Sequence, residues 1–144
     1  MDDQPGLSDQ YRMASPWPLF VALGLAISEV GVVLNILPLS VGGLLLLVGT
    51  TAGIVQEAGY TDRPWGVLGG LGAVLVAFGG VLVATQVSAV SVAAVTDTVT
   101  GAFSGPNANA IVQRGLSVAF AGAIALVASR VAVVMEPRRD PGTA

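Results

Sequence analysis

Charges are widely spaced along this chain, and the gaps between them outline a fold. Residues Met13 to Ser28 carry no charge, Glu29 interrupts, and Val30 to Gln56 run on uncharged for 27 residues. A third gap, Pro64 to Thr96, is 33 residues long, and a later apolar run extends from Gly115 to Ser129. A bilayer's hydrocarbon core is about 30 Å thick and takes about 20 helical residues. The stretch from Pro16 to Gln56 would make a single helix of about 60 Å, twice that thickness, so it has to turn back on itself. The turn signal is Asn35-Ile36-Leu37-Pro38-Leu39-Ser40, where Pro38 removes a helical hydrogen bond.

The pattern predicts an all-α integral membrane protein with four transmembrane helices, at approximately 16–36, 39–57, 64–85 and 112–135. Asp62 is the expected N-cap of the third helix, with Pro64 in its first turn, and Glu136-Pro137 stops the fourth. Two Pro-Trp pairs, Pro16-Trp17 and Pro64-Trp65, point to two helical hairpins in tandem. The flanks are tails at 1–15 and 137–144. The outer connection 86–110 is the one long loop. Its alternation through Val95-Thr96-Asp97-Thr98-Val99-Thr100 fits a short strand or an interfacial loop.

Composition supports that picture and narrows the chemistry. Charged residues make up 10% of the chain, against about 25% in soluble domains, and the hydrophobic share is 53% before 19 glycines are added. So few charges cannot clothe a soluble domain of this size. There is no Cys and no His, and all six basic residues are Arg. That removes thiolate, imidazole and Schiff-base chemistry, the commonest haem and metal ligands, and the basic footprint of a nucleic-acid binder. We expect no catalysis and no cofactor or metal. Glu57, Asp62 and Arg63 are the nearest approach to a polar interfacial cluster, and capping and anchoring account for them.

Orientation follows the arginines. Arg12, Arg63, Arg138 and Arg139 fall on one side of an even number of spans and Arg114 alone on the other, so both tails are expected in the cytoplasm, in the cell membrane. Trp17 and Trp65 would then belong to the inner aromatic belt. The leading segment holds Asp2, Asp3, Asp9 and only Arg12, unlike the basic start of a signal peptide.

Small residues supply the expected packing faces. Gly24, Ser28, Gly31 and Asn35 share one face of the first helix, and Gly49 and Gly53 form a GxxxG on the second. Ser117, Ala121, Ala125 and Ser129 recur every fourth residue on the last. Glu29 is the sharpest polar residue. It lies about 18 Å along the helix from Trp17, a depth near mid-bilayer, where an ionisable group is a functional hypothesis by default. Arg130 is a conceivable counter-charge, about 9 Å from the inner end of its helix. Glu29 can serve either as a structural lock within a bundle or as a proton relay.

The opening run Met1-Asp2-Asp3-Gln4-Pro5-Gly6-Leu7-Ser8-Asp9-Gln10-Tyr11-Arg12-Met13-Ala14-Ser15-Pro16-Trp17-Pro18 resembles the start of small haloarchaeal membrane proteins. These are known as cox cluster proteins, because their genes lie among those of cytochrome c oxidase. The likeness continues through Val21–Ala26 and Glu29–Leu34, and weakly through Gly53-Ile54 and Glu57-Ala58-Gly59-Tyr60. The absence of Lys and the acid excess fit a salt-adapted source. The resemblance implies neighbourhood with a respiratory terminal oxidase and no assigned site residues. The expected role is an accessory subunit or assembly factor. It would work through the small-residue faces of the first two helices, with Glu29 and Asn35 as polar fixings and residues 4–15 as a docking tail. Expected partners are membrane lipid, oxidase subunits or further copies of the chain. The alternative is a small oligomeric transporter or proton conduit using Glu29.

Overall fold

The computed structural model describes residues 14–137. The docking tail before Ala14, Arg12, Arg138 and Arg139 lie outside the described residues. The described chain is all-helical: α1 (Trp17–Val33), α2 (Leu37–Glu57), α3 (Pro64–Ala84), α4 (Val92–Gly101) and α5 (Ala110–Met135), with a 3-10 turn at Gly105–Asn107. By length and composition α2, α3 and α5 can each cross a membrane. The apolar α1, with 17 residues, is shorter, at about 25 Å.

The long helices form two antiparallel pairs, α1 with α2 and α3 with α5, and α2 joins the pairs by touching both α3 and α5. Within each pair the backbones are in near contact. A Cβ added to Gly24 would lie 2.7 Å from the backbone nitrogen of Leu47, and one on Gly31 would run into the backbone of Ser40. Gly43 returns the contact, facing the backbone of Ser28. In the second pair Gly72 meets the Gly122 carbonyl at 2.8 Å from such a Cβ, and Gly79 lies against Gly115 and Ala119. Within a membrane, where lipid offers no hydrophobic drive between helices, close packing of this kind would supply the cohesion.

The interior is made of small and weakly polar groups. Ser28, Ser40, Thr50, Gln113, Ser117 and Ser129 are buried, and the largest fully buried side chains are Val112, Ser40 and Ser117. Leucine, isoleucine and phenylalanine face outward instead, among them Leu19, Phe78, Phe120 and Ile124. Apolar exposure on this scale marks a surface fit to meet lipid or another protein.

Several expectations need correcting at the element ends. The first helix stops at Val33, not residue 36. Asn35 takes a left-handed conformation (φ 58), and the Asn35 and Ile36 amides donate to the carbonyls of Val32 and Gly31, at 3.1 and 2.7 Å. This is a Schellman ending with Asn in the position usually held by Gly. Pro38 therefore sits inside the first turn of α2, where its missing N–H would have had no partner anyway. The end of α2 repeats the device with Gly59 (φ 80). Asp62 does not cap α3: Arg63 occupies that position without a side-chain cap, and Thr61 bonds to Arg63 instead. The segment expected as a strand or loop is α4. Ser91 caps it by accepting from the Ala94 amide at 3.1 Å; Val95 and Val99, four apart, fit a helix and an alternating strand alike, whereas Val92, three before Val95, fits the helix only. The last helix begins at Ala110, because Asn109 accepts from the Ile111 and Val112 amides.

Neighbouring glycines provide a clean test of the packing. A Cβ on Gly42 or Gly80 meets nothing within 4 Å, whereas Gly43 and Gly79 face backbone. Gly43→Ala and Gly79→Ala are expected to lower stability by about 1–3 kcal/mol through overpacking. Gly42→Ala and Gly80→Ala are expected to leave it unchanged or raise it, since Ala favours the helix by about 0.5–1 kcal/mol. Thermal unfolding of the four variants in detergent checks the contrast.

Candidate functional site

The polar groups gather at the two ends of the bundle. At the end shared by the α2–α3 loop and the last residue of α5, Glu57 accepts from the Ser15 hydroxyl at 2.7 Å, tying the start of α1 to the end of α2. Glu136 does the same for the other pair. It accepts from Trp65 Nε1 at 2.9 Å and lies 3.5 Å from Arg63. Two turns inside Glu136, the Ser129 hydroxyl donates to the Trp65 carbonyl at 2.7 Å. Trp17 and Trp65 both stand at this end, on either side of a hollow lined by Ala52, Gly53 and Gln56. Glu57 and Glu136 thus act as clasps on tryptophan-bearing helix starts.

At the opposite end Glu29 forms an ion pair with Arg114. The sequence reading placed Glu29 near mid-bilayer and weighed Arg130 as its partner. Glu29 is four residues from the end of α1, and Arg114 four residues into α5, so each lies about 6 Å from its helix end. Because α1 ends early at the Asn35 turn, a depth counted from Trp17 overstates the distance to the other boundary. α1 otherwise packs chiefly on α2 and touches α5 little, so this pair is its polar tie to the second hairpin. Arg130 is exposed and makes no salt bridge with any described residue.

Beside the ion pair lies an amide network that sequence reasoning missed. Gln113 is buried (5% exposed) and donates from Nε2 to the Ala102 carbonyl at 2.7 Å. The Asn109 amide donates to the same carbonyl at 3.1 Å, and the Asn109 side chain donates to Gln86 Oε1 at 3.0 Å. These bonds fasten the connection after α4 to the first turns of α5 and the end of α3. The signal that could have revealed the ion pair was partly present: Arg114 is the one basic residue that the arginine count assigns to that end, and Glu29 is the one acidic residue inside the first apolar helix.

The other singled-out residues are placed as follows. Gly24, Ser28 and Gly31 are spent on the α1–α2 contact, so they do not form a free docking face. Asn35 is exposed in the turn and serves chain reversal, not a polar fixing on that face. The GxxxG of α2 divides: Gly53 lies under the Trp17 ring, 2.9 Å from the nearest ring atom to an added Cβ, while Gly49 faces open space. Among the described residues no three His, Cys, Asp or Glu side chains converge on a possible metal position. The carboxylates that contact other side chains are engaged in holding helices together.

Both side chains of the Glu29–Arg114 pair are 47% exposed, which limits its worth to about 1 kcal/mol. A double-mutant cycle is expected to give that coupling: Glu29→Gln and Arg114→Gln each destabilise the protein in detergent, and the double variant loses less than their sum. Exchange of the two charges, Glu29→Arg with Arg114→Glu, should recover most of the loss.

No curated protein and no solved structure matches the chain. One family model does, over residues 1–135, under the description "Family of unknown function (DUF7541)". The bundle, with both of its polar ends, falls almost entirely within that match, and the chain belongs to this family.

Proposed function

We propose that the chain is a non-catalytic protein of four membrane spans, with both tails in the cytoplasm, that serves a respiratory terminal oxidase as an accessory subunit or assembly factor. The oxidase enters through the resemblance of the first sixty residues to the cox cluster proteins. The mode of action, helix against helix within the bilayer, is supported by one observation on α3. Gly66, Gly70, Ala73, Ala77 and Gly80 recur at helical spacing along α3, and all are exposed. A Cβ on any of the three glycines would meet nothing within 4 Å. Glycine inside a helix costs about 0.5–1 kcal/mol relative to alanine, and these three give no packing inside the chain in return. Against another transmembrane helix they would permit backbone approach of the kind seen within each pair. This stripe takes over the docking role that the sequence reading gave to the Gly24–Gly31 face.

The four-span topology is supported by α1 running along α2, so that the two share a depth, and by the Ser15–Glu57 clasp at their common end. A proton conduit would need Glu29 free to exchange protons along a path. Its pairing with Arg114 near a helix end favours the structural lock.

The test is co-purification from native membranes in mild detergent with a tag on the C-terminus. Stoichiometric oxidase subunits would support an accessory role, and substoichiometric oxidase with haem- or copper-delivery proteins an assembly role. Gly70→Leu combined with Ala77→Leu is expected to abolish recovery of the oxidase while the unfolding midpoint of the isolated protein stays within error. A homo-oligomer without oxidase, with proton flux in vesicles lost in Glu29→Gln, would replace this reading with the conduit.

A further inference from the structure

α4 is a ten-residue helix that buries none of its side chains. Ala94 and Thr98 make a half-buried face, and Ala93 and Asp97 an exposed one about 100° further round the helix. On the side opposite Asp97 runs an apolar ridge: Val92 is 85% exposed, Val95 43%, and Val90, just before the helix, is fully exposed. The ridge borders a shallow depression lined by Val90, Ser91, Val92, Val95 and Thr96.

Three further features bear on what covers this ridge. First, the helix is held at the boundary of the bundle. Its trailing end is pinned through the Ala102 carbonyl to Gln113 and Asn109, in and just before the first turns of α5, and Asn109 is tied to Gln86 beyond the end of α3. Second, its hydroxyls are consumed internally. Thr96 donates to the Val92 carbonyl at 2.8 Å, Thr98 to Ala94 at 2.7 Å and Thr100 to Thr96 at 2.8 Å. Polar groups entering an apolar phase have to be satisfied within the segment in this way. Third, Asp97 is its one charged residue, and it lies on the face away from the ridge.

We propose that α4 is an interfacial helix whose Val90, Val92 and Val95 insert among the lipid chains of the adjacent leaflet, continuous with the lipid-facing sides of α3 and α5. An amphipathic helix lying in the interface plane buries its apolar face a few ångströms into the headgroup–acyl boundary. The proposal rests on the membrane reading of the bundle, and its test separates the two.

The chain has no cysteine, so single reporters can be placed directly. Val92→Cys, Val95→Cys, Ala93→Cys, Asp97→Cys and, at the exposed middle of α3, Val74→Cys would each carry an environment-sensitive fluorophore. The whole protein is reconstituted into vesicles of phosphatidylcholine and phosphatidylglycerol, with or without lipids spin-labelled at shallow and deep acyl positions. Labels at 92 and 95 are expected to shift to the blue and lose emission to the shallow spin label. Labels at 93 and 97 should remain open to aqueous iodide, and the label at 74 should be quenched by the deep label. Aqueous behaviour at 92 and 95 with lipid contact at 74 would overturn the proposal and leave the membrane reading in place. Blue-shifted emission at 92 and 95 that neither quencher reaches would overturn it in favour of a protein cover. Aqueous behaviour at 74 as well would remove both.

Discussion

The structure depends on how closely two helix backbones can approach where no side chain stands between them. At Gly31 against Ser40 and at Gly79 against Gly115, no room remains for even a methyl group. Dispersion falls off steeply with distance, so contact at this range recovers what large interlocking side chains would supply in a soluble core. It also explains why the interior contains serines and alanines and the exterior leucines and phenylalanines. Large residues would force the pairs apart, whereas on the outside of the bundle they clash with nothing.

Close pairing leaves the ends to be managed separately, because helix ends and loops have backbone groups that the packing cannot satisfy. The two boundaries are handled differently. One uses carboxylates as clasps on helix starts, Glu57 on Ser15 and Glu136 on Trp65 and Arg63. The other uses a single ion pair and an amide network centred on the Ala102 carbonyl. The clasps and the ion pair join helices distant in sequence that their glycines have already placed, whereas the amide network fastens the nearby connection after α4.

The number and rough position of the apolar helices were legible because charge is so scarce that long uncharged runs stand out, although Glu29, Arg114 and Arg130 fall inside helices and not at their ends. The ends were less legible. Pro38 looked like the turn, although the reversal is carried by Asn35 in a left-handed conformation, which a proline two residues into the next helix tolerates. Val95 to Thr100 fits both a strand and a helix by spacing. The decision rested on the Ser91 cap and on threonines bonding back to their own helix, neither of which periodicity reports. For Glu29 the sequence supplied the residue but not its partner. Depth was measured from one helix end, while the pairing depends on how near the other end lies and on which helix stands beside it.

The two glycine-packed pairs also differ in how soon they can form as the chain is made. Residues 34–36 are all that separate α1 from α2, so the first hairpin can close as soon as α2 has been synthesised. α3 has no such neighbour waiting. Its partner α5 lies beyond residues 85–109 and arrives only after α4 and the following turn have been synthesised. In that interval Gly72 and Gly79 lie open along a helix whose partner has not yet been made. The long connection therefore sets a delay before the second pair can close.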